Sequence, residues 1–112
     1  MKNTVDVQDF LKLSICTGTV MSASLNEKAR EPAYVMKIDF GPELGVKTTS
    51  AQITDQYTTE GLVGKQIVAV TNFPPLRVAG VKSEVLVLGA VTDLGVVLLA
   101  TDNEVPNGTS IS

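Results

Sequence analysis

The sequence predicts an all-β domain: a five-stranded Greek-key barrel with a short N-terminal helix and one extra strand near its C-terminal end. Three observations carry that expectation. Six segments of strand length, the last three of them apolar runs, follow one another with turn-forming residues between them. Only one short polar insert separates them, so the helical crossovers that a parallel βαβ sheet needs are missing. The apolar residues, 44% of the 112, are almost all aliphatic, with no Trp, three Phe and two Tyr, a composition that favours strands. Residues 1–112 read as a single domain, with no internal repeat and no linker.

Taken in order, Thr4 is suited to cap a helix, Asp6 to sit in its first turn, and Val7, Phe10 and Leu11 to form one apolar stripe, which predicts a helix over Val5 to Leu11. "LSICTGTVMSAS" alternates as a first strand, in which Gly18 predicts a bulge or bend. "AYVMKIDF" alternates most cleanly, with Tyr34, Met36, Ile38 and Phe40 on one face. "GPELG" predicts a hairpin turn into "VKTTSAQI" as the return strand. "TDQYTTEGLVG" is too polar for a core strand; Thr54 as cap and Gly61 as stop predict one short helix there. "KQIVAV", "SEVLVLGA" and "GVVLLAT" supply the last three strands, and "DNEVPNGTS" reads as a turn-rich polar tail. Three strands, a small helix and further strands are what a barrel of the OB type provides, with one strand added; a β-sandwich is the nearest alternative.

Charge and side-chain inventory narrow the functions. The net charge is −3, with no Lys or Arg after Lys82; the first 82 residues carry nine cations against eight anions, +1. A strongly basic surface is not indicated, although a local basic patch is compatible with these numbers. The chain has no His, no second carboxylate at a recognisable spacing from Asp39 or Glu84, and no Gly-rich phosphate loop, so no enzymatic activity, cofactor or metal is expected. Cys16 is the single cysteine, which rules out an intrachain disulfide and reads as a buried small hydrophobe. The N-terminus has no apolar signal-peptide core and no apolar run approaches ~18 residues. A soluble, cytoplasmic protein without membrane insertion is expected.

The segment "TNFPPLRVAGVKSEVLVLGA", Thr71 to Ala90, is the least ordinary. Pro74 and Pro75 fix φ near −65° and push the residues before them into extended geometry, so the connection is stiff. Gly80 permits a positive φ. Asn72, Ser83 and Glu84 have short acceptors suited to holding free amides, whereas Arg77 and Lys82 are cations on a rigid loop, available to a partner. Phe73 and Leu76 either close the barrel or form an apolar spot beside those cations.

With Thr17–Val20 ("TGTV"), Thr49–Thr54 ("TSAQIT"), Asn72–Pro75 ("NFPP") and Lys82–Gly89 ("KSEVLVLG"), the chain resembles the tRNA-binding OB domain at the carboxyl end of many methionyl-tRNA synthetases and in stand-alone dimers. It is more similar still to the CsaA-type export-related chaperones of that family, over essentially its whole length. The resemblance implies an OB-fold homodimer that binds tRNA by shape, or binds unfolded or preprotein segments on their way to export, with export machinery as a further partner. Where the tRNA-binding relatives carry Asn-Leu-Lys-Pro-Arg-Lys-Met-Arg-Gly, this chain has Pro74, Leu76 and Ala79 at three of the four cationic positions and keeps Arg77 alone; Cys16 stands where relatives often have Arg. Fewer cations lower the affinity for a phosphate backbone. The leading expectation is therefore a peptide-binding chaperone using Asn72, Phe73, Pro74 and Leu76, rimmed by Arg77, Lys82 and Lys37. The alternative is a structure-specific tRNA binder using Ser50, Gln52, Arg77 and Lys82.

Overall fold

A computed structural model describes residues 1–112. Helix α1 covers Val7–Leu11. Its cap is Asp6 rather than Thr4, because the Asp6 carboxylate accepts the Gln8 amide at 2.9 Å. Strand β1 (Ile15–Leu25) then runs for 11 residues and pairs antiparallel with both β2 (Tyr34–Asp39) and β4 (Gln66–Val70). The hairpin expected between the second and third strands is present, with β3 (Val46–Ala51) paired to β2 from Asp39↔Val46 to Tyr34↔Ala51. With β7 (Leu86–Val87) beside β4, the sheet order is β3-β2-β1-β4-β7. The fourth strand returning beside the first is the Greek-key order, and the sheet curls into a nearly closed five-stranded barrel of the OB type.

Closure runs along the outer edge of β3. Glu84 donates its amide to the Thr48 carbonyl (2.8 Å) and its carboxylate accepts the Thr48 amide (3.1 Å). The Ser83 hydroxyl accepts the Ser50 amide (3.2 Å), and the Thr49 hydroxyl donates to the Val85 carbonyl (2.9 Å). Side chains thus replace part of a strand ladder and satisfy an edge that would otherwise be open to foreign strands. Ser83 and Glu84 do serve as acceptors, but for the amides of β3 rather than for their own loop.

Gly18 is not a bulge. The register is continuous through Gly18↔Ile67, and the shift falls between Val20 and Ser22. Glycine is needed at 18 for packing: a Cβ there would sit 2.7 Å from both Ile38 Cγ2 and Phe40 Cδ1. Those two side chains, with Met36, Leu62, Ile67 and Val20, are the large fully buried groups of the core, so the inward face read from "AYVMKIDF" is the one observed. Helix α2 (Thr59–Leu62) is capped by Thr58, not Thr54, and contains Gly61; it stops at Val63, and Gly64 turns away at φ +90°. It delivers Leu62 to the core.

Two further departures concern the C-terminal half. The stiff connection after β4 folds as a hairpin of its own, β5 (Leu76–Val78) and β6 (Val81–Ser83), joined by Ala79 (φ 46°) and Gly80 (φ 81°). Two central residues with positive φ match the twist of a two-residue hairpin. The expected single strand Ser83–Ala90 is consequently divided among β6, β7 and β8 (Gly89–Thr92), as the chain changes partner from β5 to β4 to β9 (Gly95–Leu98). The additional strand is β9, in a two-stranded ribbon with β8 that is tied to the barrel through Leu98 N–H to the Tyr57 hydroxyl (2.9 Å) and Gln56 Nε2 to the Leu94 carbonyl (2.7 Å). The tail is more than polar turns: Gly108, Thr109 and Ile111 exchange backbone hydrogen bonds with Thr17 and Ile15, beside the part of β1 that β2 does not reach.

Candidate functional site

A groove of about 960 Å³ opens between the β1–β2 loop, the end of β3, the β5–β6 hairpin and β7. It lies between the loop after the first barrel strand and the loop before the last, where barrels of this type present ligands. Its floor is apolar: Ala33, Ile53 and Val85 are buried there, and Val87 is half-buried. One wall is Phe73, Pro74, Pro75 and Leu76, the other Ala29 and Arg30. Phe73 is 44% and Leu76 67% exposed, so neither closes the barrel. Asn26 fixes the opposite loop: its amide donates to the Ala33 carbonyl (2.8 Å) and its side-chain nitrogen to the Ser50 hydroxyl (3.3 Å).

The structure brings Ser50, Gln52, Phe73, Pro74 and Leu76 together around this groove. Ser50 is held by Asn26 and Ser83, whereas Gln52 is exposed at the rim. Asn72 is engaged elsewhere, because its oxygen accepts the Ser14 amide and its nitrogen donates to the Lys12 carbonyl, both at 2.8 Å. It pins the end of α1 to the barrel. Asn72→Ala is expected to cost about 1 kcal/mol of stability, the net worth of exposed hydrogen bonds, as read by urea denaturation. Arg77 and Lys82 face each other across the hairpin, on the side opposite Leu76, Val78 and Ser83, and neither lines the groove. Lys37, the exposed residue of β2, lies between Ser22 and Thr48, also outside the groove.

The β1–β2 loop residues Ala29, Arg30, Glu31 and Ala33 also line the groove, and the sequence "NEKAREP" carries no periodicity that would place them there. Charged lining is sparse: Arg30, Glu31 and Glu84, the last 3.9 Å from Lys47. No cluster of His, Cys, Asp and Glu is arranged to hold a metal ion. Cys16 is buried in β1; burial pushes its thiol above the ordinary value of 9.0, with a hydrogen bond to Thr71 working weakly the other way. No helix is long and apolar enough to cross a membrane.

The groove has apolar walls, few fixed donors and no reactive constellation. The barrel that carries it is of the OB type. The family model described as a putative tRNA binding domain matches residues 15–110, and the chain belongs to that family. Within it the chain is similar to the CsaA type. It is 56% identical to the chaperone CsaA of Bacillus anthracis str. Ames, with a TM-score of 0.93 over 98% of this chain and 100% of that one. The CsaA chaperone protein of Picrophilus torridus is 44% identical, with a TM-score of 0.93 over 97% and 100%. The methionine–tRNA ligase of Archaeoglobus fulgidus is 34% identical over 110 residues, 98% of this chain but only 16% of the ligase. The chain thus spans about a sixth of that ligase's length.

Proposed function

We propose that this chain is a non-catalytic, cytoplasmic chaperone that holds unfolded or preprotein segments in the groove beside Phe73 and Leu76, and that it works as a homodimer. The observation that carries the reading is the exposed apolar pair Phe73 and Leu76, mounted on Pro74 and Pro75 over a floor of Ile53, Val85 and Val87. A wall stiffened by two prolines loses little entropy on binding. A groove with few fixed donors discriminates little among apolar side chains, which suits clients of varied sequence. The names of the two CsaA relatives support the same reading. Export machinery is the partner to which such a complex would deliver its client. The direct test is fluorescence anisotropy with a labelled preprotein, added either freshly diluted from denaturant and still unfolded or after refolding: saturable binding is expected to the unfolded form and none to the folded one. Equal binding to both would overturn the reading.

Apolar surface that the barrel leaves uncovered supports the dimer. No residue of α1 is buried, Leu11 is 60% exposed, and Val91 and Leu94 on the β8–β9 ribbon are 87% and 77% exposed. A two-fold contact burying at least ~1,200 Å² would cover such surface. Sedimentation equilibrium at micromolar concentration is expected to return twice the chain mass of 11.8 kDa. A clean monomer would remove the dimer.

A second reading, tRNA binding, rests on the family match and on one local feature: Arg77 and Lys82 are exposed and have no carboxylate partner, the ion pairs of the molecule being Lys12–Asp9 and Lys47–Glu84.

A further inference from the structure

We infer that the two faces of the β5–β6 hairpin serve two different partners at the same time. The inner face, Leu76 and Val78, would hold an unfolded polypeptide in the groove; the outer face, Arg77 and Lys82, would hold the phosphate backbone of an RNA. The inference rests on the groove reading above and adds that the two ligands do not compete.

Its basis is the register of the hairpin. Leu76↔Ser83 and Val78↔Val81 point to one side and Arg77↔Lys82 to the other, because side chains alternate along a strand and opposed residues share a face. Leu76, Val78 and Ser83 line the groove, and Arg77 and Lys82 do not. The outer face is arranged for an anion at a local cost. Like charges directly opposed across a ladder repel, and neither cation has a carboxylate within ion-pair distance to offset this. Arg77 Nη1 donates to the Gly80 carbonyl at 3.2 Å, which holds the guanidinium at the hairpin tip. A third cation converges there: a Cβ added to Gly80 would lie 3.2 Å from Lys28 Cδ and 3.6 Å from its Nζ. Arg77 and Lys28 thus meet at the exposed tip, with Lys82 directly opposite Arg77 in the ladder, in a chain whose net charge is −3. An RNA backbone, with its regular row of phosphates, fits this better than a single small anion, and an apolar client has no contact to make with it.

The two sites sit back to back on one thin ribbon, so RNA would reach the hairpin from outside while polypeptide fills the groove beneath. The experiment uses the whole chain with two probes: unfractionated tRNA, and a labelled, uncharged peptide rich in Leu and Ser. Peptide affinity is measured with and without saturating tRNA, then repeated with the Arg77→Ala/Lys82→Ala variant after circular dichroism has confirmed its fold. The expected results are a peptide affinity changed less than about twofold by tRNA, and a variant that keeps peptide affinity. Its tRNA binding should lose roughly 1.4 to 1.8 from the slope of log K against log salt, at about 0.7 to 0.9 per phosphate contact. Displacement of peptide by tRNA would overturn the inference, as would equal loss of both affinities in the variant. Absence of tRNA binding would overturn it while leaving the groove reading intact; absence of peptide binding without tRNA would overturn both.

Discussion

Leu76→Asp is expected to leave stability unchanged and to weaken binding of an unfolded segment at least about tenfold, roughly 1.4 kcal/mol. Leu76 is 67% exposed, so a carboxylate there remains in water and costs the free protein almost nothing. In the complex the same carboxylate would be pressed against the client's apolar side chains, between Phe73 and the floor at Val85 and Val87, and desolvated without a partner. Thermal unfolding and anisotropy on one preparation separate the two effects. A large fall in melting temperature would mean that Leu76 belongs to the core; unchanged binding at unchanged stability would remove it from the groove's function.

Phe40→Ala is expected to destabilise the barrel by about 3–5 kcal/mol and to lower the melting temperature by more than ~10 °C. The ring is 1% exposed and packs on the space that Gly18 leaves open, where even a Cβ would lie 2.7 Å from it. The walls cannot collapse to fill the void. The Phe40 amide is bonded to the Gly45 carbonyl at 3.0 Å, and its own carbonyl lies against Gly108, where a Cβ would come within 2.6 Å. Differential scanning calorimetry checks the outcome. A shift of only a few degrees would show that the walls around the ring relax into the void.

Which parts of this architecture the sequence discloses follows from the range of the interactions involved. Period-two alternation in "AYVMKIDF" and the turn residues of "GPELG" are local signals, and both give the observed β2–β3 hairpin with Met36, Ile38 and Phe40 inward. Gly18 looks the same locally whether it bulges or makes room, and only the approach of Ile38 and Phe40 from the neighbouring strand decides. The caps shift by a few residues because several Thr and Asp side chains compete, and Asp6 and Thr58 win by reaching an amide. "LRVAGVKS" hides a hairpin because Ala79 occupies a left-handed turn position usually given to Asn or Gly. For the groove, the stiffness and apolarity of Phe73, Pro74 and Leu76 are local signals. The facing loop at Ala29 to Ala33 is placed by Asn26, whose hydrogen bond to Ser50 spans 24 residues of sequence. That hairpin register also explains why Arg77 sits beside Leu76 in sequence yet faces the other way.

Amide chemical-shift mapping by NMR, during titration with an uncharged unfolded peptide, tests the polypeptide-binding groove most directly. The groove account predicts saturable shifts at Ala29 to Ala33, Ser50 to Ile53, Phe73, Leu76 and Val85 to Val87, with Lys37, Val63 and the tail at Gly108 and Thr109 unmoved. Shifts centred on α1, with the groove amides silent, would contradict it.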